Sequence, residues 1–333
     1  MPWQTHKRWS CIAAWQSCET SRSHKPPARK NHYTGAIFSS SQQLSPGQGQ
    51  LGKWQGGGMN IIQRNNVQRL KAKTADAPTL IYGHGFGCNQ EMWSKVTPAF
   101  SQHWHQVLFD YVGSGRSDAS AFHPARYAQL EGYVEDLLEV CDALELSGDL
   151  TFVGHSISCS IGILAAIKRP ELFSRLILLG PSPRFLNDPP DYRGGFERSD
   201  LEGLLELMAH NYLGWAQQFA PLVSADETPA VTRQLSDSFC STDPIVAHAF
   251  AQATFFSDIR PALESCPSPS LILHHQRDAL VPTSVADYLH SALAGSTLET
   301  LEVSGHCAHM SHPELVSAAM HRYLQGARAR ALS

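Results

Sequence analysis

Charge is scarce in this chain, and several familiar functional patterns are missing from it. Only 17% of the 333 residues are charged, and 26 basic against 30 acidic side chains leave a net charge of −4. That balance argues against nucleic acid as the main partner, which calls for a basic surface. No apolar run reaches the roughly 18–20 residues that span a bilayer, so no membrane span is expected. The eight cysteines include no C-x-x-C pair, which removes zinc ribbons and thioredoxin-like sites. They read as reduced, mostly buried thiols of a cytoplasmic protein. Seventeen histidines are present, but none has H-E-x-x-H spacing, and no metal is expected.

Acids are almost absent from residues 1–58, where Glu19 stands against Lys7, Arg8, Arg22, Lys25, Arg29, Lys30 and Lys53. This segment is net +6, which leaves −10 on the other 275 residues. It shows neither helical nor strand periodicity, and it lacks the apolar core of a signal peptide. Gly47 and Gly52-Lys53 have the spacing of a phosphate loop. However, Trp54 stands where Ser or Thr would bind magnesium, and Gly56-Gly57-Gly58 follows where a helix should begin. Residues 1–58 are therefore read as non-native upstream sequence ahead of Met59. A disordered extension or a targeting segment are the alternatives.

What is present from residue 59 onward is an alternation of short apolar runs with longer helical patterns. Strands are expected at 79–82, 106–110, 150–153, 175–179, 270–274 and 298–303, and helices at 126–144, 157–168, 283–293 and 313–324. Such alternation predicts a mostly parallel sheet with helices on both faces. Residues 184–260 break the rhythm. They hold only helical patterns, at 199–213, 229–239 and 245–255, which predicts a helical lid across the carboxyl end of the sheet. The expected organisation is a core of 59–183 and 261–326 interrupted by a lid of 184–260.

Chemistry concentrates at the strand ends. Leu150-Thr151-Phe152-Val153 runs through Gly154-His155-Ser156-Ile157-Ser158 into a helix, which presents Ser156 at a sharp strand-to-helix turn. The last position of the usual G-x-S-x-G is Ser158 here, still a small residue. A nucleophilic serine needs a base, and the base needs an orienting carboxylate. Asp278 and His306 follow later strands in the required order, at the same sheet edge, and are preferred over Asp243, Asp258, Asp287, His309 and His312. Tyr82-Gly83-His84-Gly85-Phe86-Gly87 supplies a glycine-rich turn. The backbone N–H groups of Phe86 and Ile157 are the expected oxyanion donors. Asp110-Tyr111-Val112-Gly113-Ser114-Gly115 lacks the third glycine of a dinucleotide loop and reads as a structural turn. Aromatic residues of the lid are expected to make the pocket apolar, with Phe185 the first choice and Trp215 and Phe219 the alternatives.

Together these residues resemble the α/β-hydrolase superfamily. His84-Gly85-Phe86-Gly87, Gly154-His155-Ser156-Ile157-Ser158 and Gly305-His306 are similar to the subgroup that contains bacterial RsbQ and the plant karrikin and strigolactone receptors. Pro189-Pro190-Asp191-Tyr192, Gly194-Gly195-Phe196-Glu197-Arg198 and Phe239-Cys240-Ser241-Thr242-Asp243-Pro244 resemble RsbQ in particular. The resemblance covers about residues 59–325. It implies an α/β-hydrolase fold under a four-helix lid, a Ser156–His306–Asp278 triad, no cofactor, and a small hydrophobic ester or lactone-like ligand. It also implies a stress-signalling role beside a PAS-domain phosphatase.

Overall fold

β4 (Leu150–His155) is buried at all six positions, as a strand must be when both faces of its sheet are covered. The computed structural model describes residues 60–225 and 228–331, so the expectation for residues 1–58 lies outside the described residues. Six further strands flank β4: β1 (Gln68–Leu70), β2 (Thr79–Gly83), β3 (His105–Leu108), β5 (Phe173–Leu179), β6 (Ser270–Arg277) and β7 (Thr297–Ser304). Their order is β1-β3-β2-β4-β5-β6-β7. Only β1 runs antiparallel to its neighbour; the others pair in parallel.

The helices follow the apolar spacing. In α1 (Leu130–Ala143), Leu130, Val134, Leu137, Leu138 and Cys141 are buried on one face. α2 (Ile157–Lys168) follows β4 directly. Between β5 and β6 lie α3 (Arg198–His210), α4 (Tyr212–Ser224), α5 (Pro229–Ser241) and α6 (Pro244–Phe255). That is one helix more than apolar periodicity gives. α4 carries Pro221 inside its last turns and Gly214 in its first, two residues that read locally as breakers. α7 (Thr283–Ala292) and α8 (Pro313–Ala331) complete the fold.

Ion pairs knit the two chain crossings into this insertion. Asp258 binds Arg184 at 2.5 Å and Arg260 at 2.7 Å, and Arg260 also reaches Asp188 at 2.7 Å. The Arg260 guanidinium lies 4.7 Å from the centre of the Tyr192 ring, in cation–π range. Because β2 and β4 to β7 all run one way, the loops after them gather at a single edge. Ligands bind at that edge in open α/β sheets.

Candidate active site

Ser156 sits at that edge with φ +55° and ψ −122°, a conformation that a residue with a Cβ rarely adopts. Such backbone strain persists only where the surroundings fix it. Here the Ser156 N–H donates to the Leu179 carbonyl at 2.8 Å, and the Ser156 carbonyl accepts from Cys159 N–H at 2.9 Å. Small neighbours are required. A Cβ on Gly154 would lie 2.9 Å from Cys159 N, and one on Gly85 would lie 2.6 Å from the His155 ring.

Asp278 follows β6, where the pairing with β7 shifts register between His275 and Arg277. Its Oδ1 accepts the backbone N–H groups of Leu280 and Val281, at 2.8 and 3.2 Å. Oδ2 faces His306 Nδ1 at 2.7 Å. Burial would raise the carboxyl pKa, but His306 and His275 beside it hold it well below the usual carboxylate range. With Asp278 ionised, the imidazole proton is fixed on Nδ1, so Nε2 is left as the acceptor. That Nε2 is buried without a hydrogen-bond partner among the described residues, and His306 and Ser156 line the same pocket. The His306 N–H is anchored on the Val223 carbonyl of α4 at 2.7 Å.

The rivals have other occupations. Asp258 is held by Arg184 and Arg260, and Asp243 caps α6 through the Ile245 N–H at 2.8 Å. His309 is fully buried against Trp93 and His155, with ring centres 4.7 and 4.4 Å apart. His312 pairs with the Ser311 hydroxyl. Cys88 also lines the pocket, but burial pushes its thiol up to about 12, which leaves it protonated and a poor nucleophile.

No backbone carbonyl among the described residues accepts from the N–H of Phe86 or Ile157. The Phe86 side chain packs against the insertion, with ring centres 5.7 Å from both Phe250 and Phe255 and 5.9 Å from Trp215. The pocket is narrow, with a cavity volume of about 20 Å³. Phe185 and Phe219 line it, together with Phe239, Phe255 and Leu280, which sequence reasoning did not single out. Trp215 does not line it. It stacks behind Phe219 at 5.2 Å and acts as backing for the wall.

Asp110 accepts from Gln90 N–H, Arg116 N–H and the Asn66 amide, which makes its glycine-rich segment a structural turn. His275 was missed in the sequence. It is wholly buried, and its Nδ1 lies 3.6 Å from Asp278 Oδ2. His275, Asp278 and His306 present ligand atoms within 4.8 Å of one another. The 2.7 Å contact of the last two is a hydrogen bond, shorter than two ligands of one zinc ion would stand apart.

Residues 80–319 match the alpha/beta hydrolase family. A strigolactone esterase of Arabidopsis thaliana is 40% identical over 266 residues, which cover 80% of this chain and 98% of that protein. A karrikin insensitive receptor of Petunia hybrida is 36% identical, with the same coverage of 80% and 98%. A solved hydrolase from Oleispira antarctica is 41% identical with a TM-score of 0.77, over 80% of this chain and 96% of its own. The seven-stranded sheet, the serine at the turn after β4 and the extent of these similarities agree: this chain belongs to the alpha/beta hydrolase family.

Proposed function

We propose that the protein is a serine hydrolase that cleaves a small apolar ester or lactone, with Ser156 as nucleophile, His306 as general base and Asp278 as its orienting carboxylate. The observation that carries this reading is the 2.7 Å contact between Asp278 and His306 at the edge where Ser156 is held in a strained turn. Ser156 Oγ attacks the substrate carbonyl while His306 Nε2 takes its proton. The imidazolium so formed is stabilised by Asp278. Negative charge on the carbonyl oxygen is met by the N–H groups of Phe86 and Ile157. His306 then returns the proton to the departing alkoxide, and water attacks the acyl-serine by the same route. For a lactone, acid and alcohol leave as one hydroxy acid. The aromatic wall supports an apolar substrate, and the helical insertion is read as a lid that screens the site from bulk solvent while leaving access for the hydrolytic water.

The deciding experiment is Ser156→Ala in the purified protein. Turnover of a short p-nitrophenyl ester should fall by about 10³-fold or more. Retained turnover ends the proposal.

We further propose that this hydrolysis serves signalling. Support comes from relatives that include a karrikin insensitive receptor and a strigolactone esterase, and from the RsbQ-like motifs. On this reading the lid reports ligand occupancy to a regulatory protein such as a PAS-domain phosphatase. A ligand shifts lid position only through different affinities for its two states. A cytoplasmic site of action fits the six described cysteines, all unpaired. Rapid turnover of one metabolite, with no change in a stress reporter when the gene is deleted, would remove the signalling role and leave the chemistry.

A further inference from the structure

Ser158 stands where the turn after β4 usually carries glycine, and its hydroxyl is engaged on both sides. The residue is wholly buried. Its Oγ donates to the His84 carbonyl at 2.5 Å and lies 2.9 Å from Tyr111 Oη. A hydroxyl has one proton to give, so with that proton on His84 the bond from Tyr111 runs from Oη–H to Ser158 Oγ. The three groups form a closed chain with no room beside it. A Cβ on Gly83 would lie 2.9 Å from both Ser158 Oγ and Tyr111 Oη.

His84 is tied down by its ring as well. Its Nε2 accepts the Tyr111 N–H at 3.2 Å, which puts the ring proton on Nδ1, 2.9 Å from the Gly85 carbonyl. Burial lowers the His84 pKa and keeps this arrangement neutral. The segment that carries Phe86 is thus fixed at the His84 carbonyl by a residue next to Ile157. We propose that Ser158 is a positioning residue: its hydroxyl sets the distance between the Phe86 and Ile157 N–H groups by joining the start of α2 to the loop after β2. The inference rests on the reading of those two groups as oxyanion donors.

An oxyanion hole binds the tetrahedral state and not the planar ester, so a displaced donor lowers kcat and leaves KM nearly alone. The test compares the wild type with Ser158→Ala and Tyr111→Phe, singly and together. It uses a short p-nitrophenyl ester as substrate and a small alkylboronic acid as the tetrahedral mimic. Ser158→Ala should lower kcat about 10- to 100-fold, change KM less than about 3-fold, and weaken boronate inhibition by the factor lost from kcat/KM. Tyr111→Phe should add little to Ser158→Ala, because both break one chain. A purely structural role would lower the melting temperature without moving boronate affinity. A folded Ser158→Ala variant with wild-type kcat and boronate affinity overturns the proposal. Should Ser158→Ala not fold, Ser158→Cys retains a weak donor at the same point. An intermediate kcat and boronate affinity then supports the proposal, and wild-type values overturn it. Ser156→Ala, assayed alongside, separates the two levels. An active Ser156→Ala removes the hydrolase reading itself, whereas an inactive one beside an unaffected Ser158→Ala removes only the role of Ser158.

Discussion

The Ser238 hydroxyl donates to the Gly87 carbonyl at 2.8 Å and so joins helix α5 of the insertion to the loop that carries Phe86. The same helix turn lays Phe239 against Gly87. A Cβ on Gly87, which has φ +68°, would lie 2.4 Å from the Phe239 ring. At Gly87, therefore, the insertion grips the loop after β2 through a hydrogen bond to its carbonyl and a ring against its Cα.

Gly87→Ala tests that grip. The methyl group meets the ring and the residue must keep a left-handed conformation. The two penalties are about 1–3 kcal/mol for overpacking and 1–2 kcal/mol for the backbone. Esterase activity should fall at least about tenfold, since Phe86 moves with its neighbour. Adding Phe239→Leu relieves the clash but not the backbone strain, so activity and melting temperature should recover in part. No recovery in either measurement would mean that the ring is not what limits the loop.

Asp278 and Asp258 should separate cleanly. Asp278→Asn keeps the hydrogen-bonding shape but favours the wrong imidazole tautomer, and kcat should drop by about 10⁴-fold with the fold retained. Asp258→Asn removes a charge shared by Arg184 and Arg260 at the base of the insertion. It should lower the melting temperature and leave kcat within a small factor. Steady-state kinetics and thermal unfolding on both variants decide, and a reversed pattern would move the proposed carboxylate role from Asp278 to Asp258.

Much of this site was legible in the sequence because its constraints are local. The turn at Ser156 needs Gly154 and a following helix, and all lie within a few residues. Asp278 and His306 were legible one level up, as residues just past strands whose parallel order puts their ends together. β1 was not legible: Gln68, Arg69 and Leu70 are all exposed on an edge strand, so no buried face imposes alternation. α4 was hidden by Pro221, a local breaker that tertiary packing overrides. Trp215 and Phe219 look equivalent in sequence, four residues apart on one helix face. Only the packing shows which ring reaches the pocket and which backs it. His275 gave no signal, because nothing in a strand run of apolar residues marks a histidine facing a carboxylate three residues on.

That difference between Phe219 and Trp215 predicts selectivity. Phe219→Ala opens the pocket wall and should shift preference toward longer acyl chains. The octanoate-to-acetate ratio of kcat/KM should rise by about tenfold or more, as one methylene in an apolar pocket commands 10- to 200-fold. Trp215→Phe keeps a ring behind Phe219, so the ratio should stay near that of the wild type. A chain-length series of p-nitrophenyl esters measures both. An unchanged ratio in Phe219→Ala would take that residue out of substrate recognition.

Stability should fall in mild acid, and the buried histidines fix the sign. Burial pushes the pKa values of His155 and His309 well below that of free imidazole, and lowers that of His84 as well. In the unfolded chain each titrates near 6.5, so below that pH the unfolded state binds protons that the folded state refuses. Stability is therefore complete above about pH 6.5 and declines as pH falls, by up to about 1.4 kcal/mol per pH unit for each such histidine. Asp278 acts lower on the scale. Its depressed pKa contributes stability that is present above the unfolded value near 3.9 and is lost only as pH falls toward the folded one. The loss between pH 6.5 and 5 thus belongs to the histidines and not to Asp278. Urea unfolding at pH 8, 6.5, 5.75 and 5 should show a midpoint that falls slightly over the first interval and more steeply per pH unit after it. His309→Gln, neutral at every pH, should reduce the slope by one histidine's share whatever it does to stability at pH 8. A midpoint that does not change from pH 8 to 5, or a slope unaltered in His309→Gln, would show that these rings take up protons without unfolding.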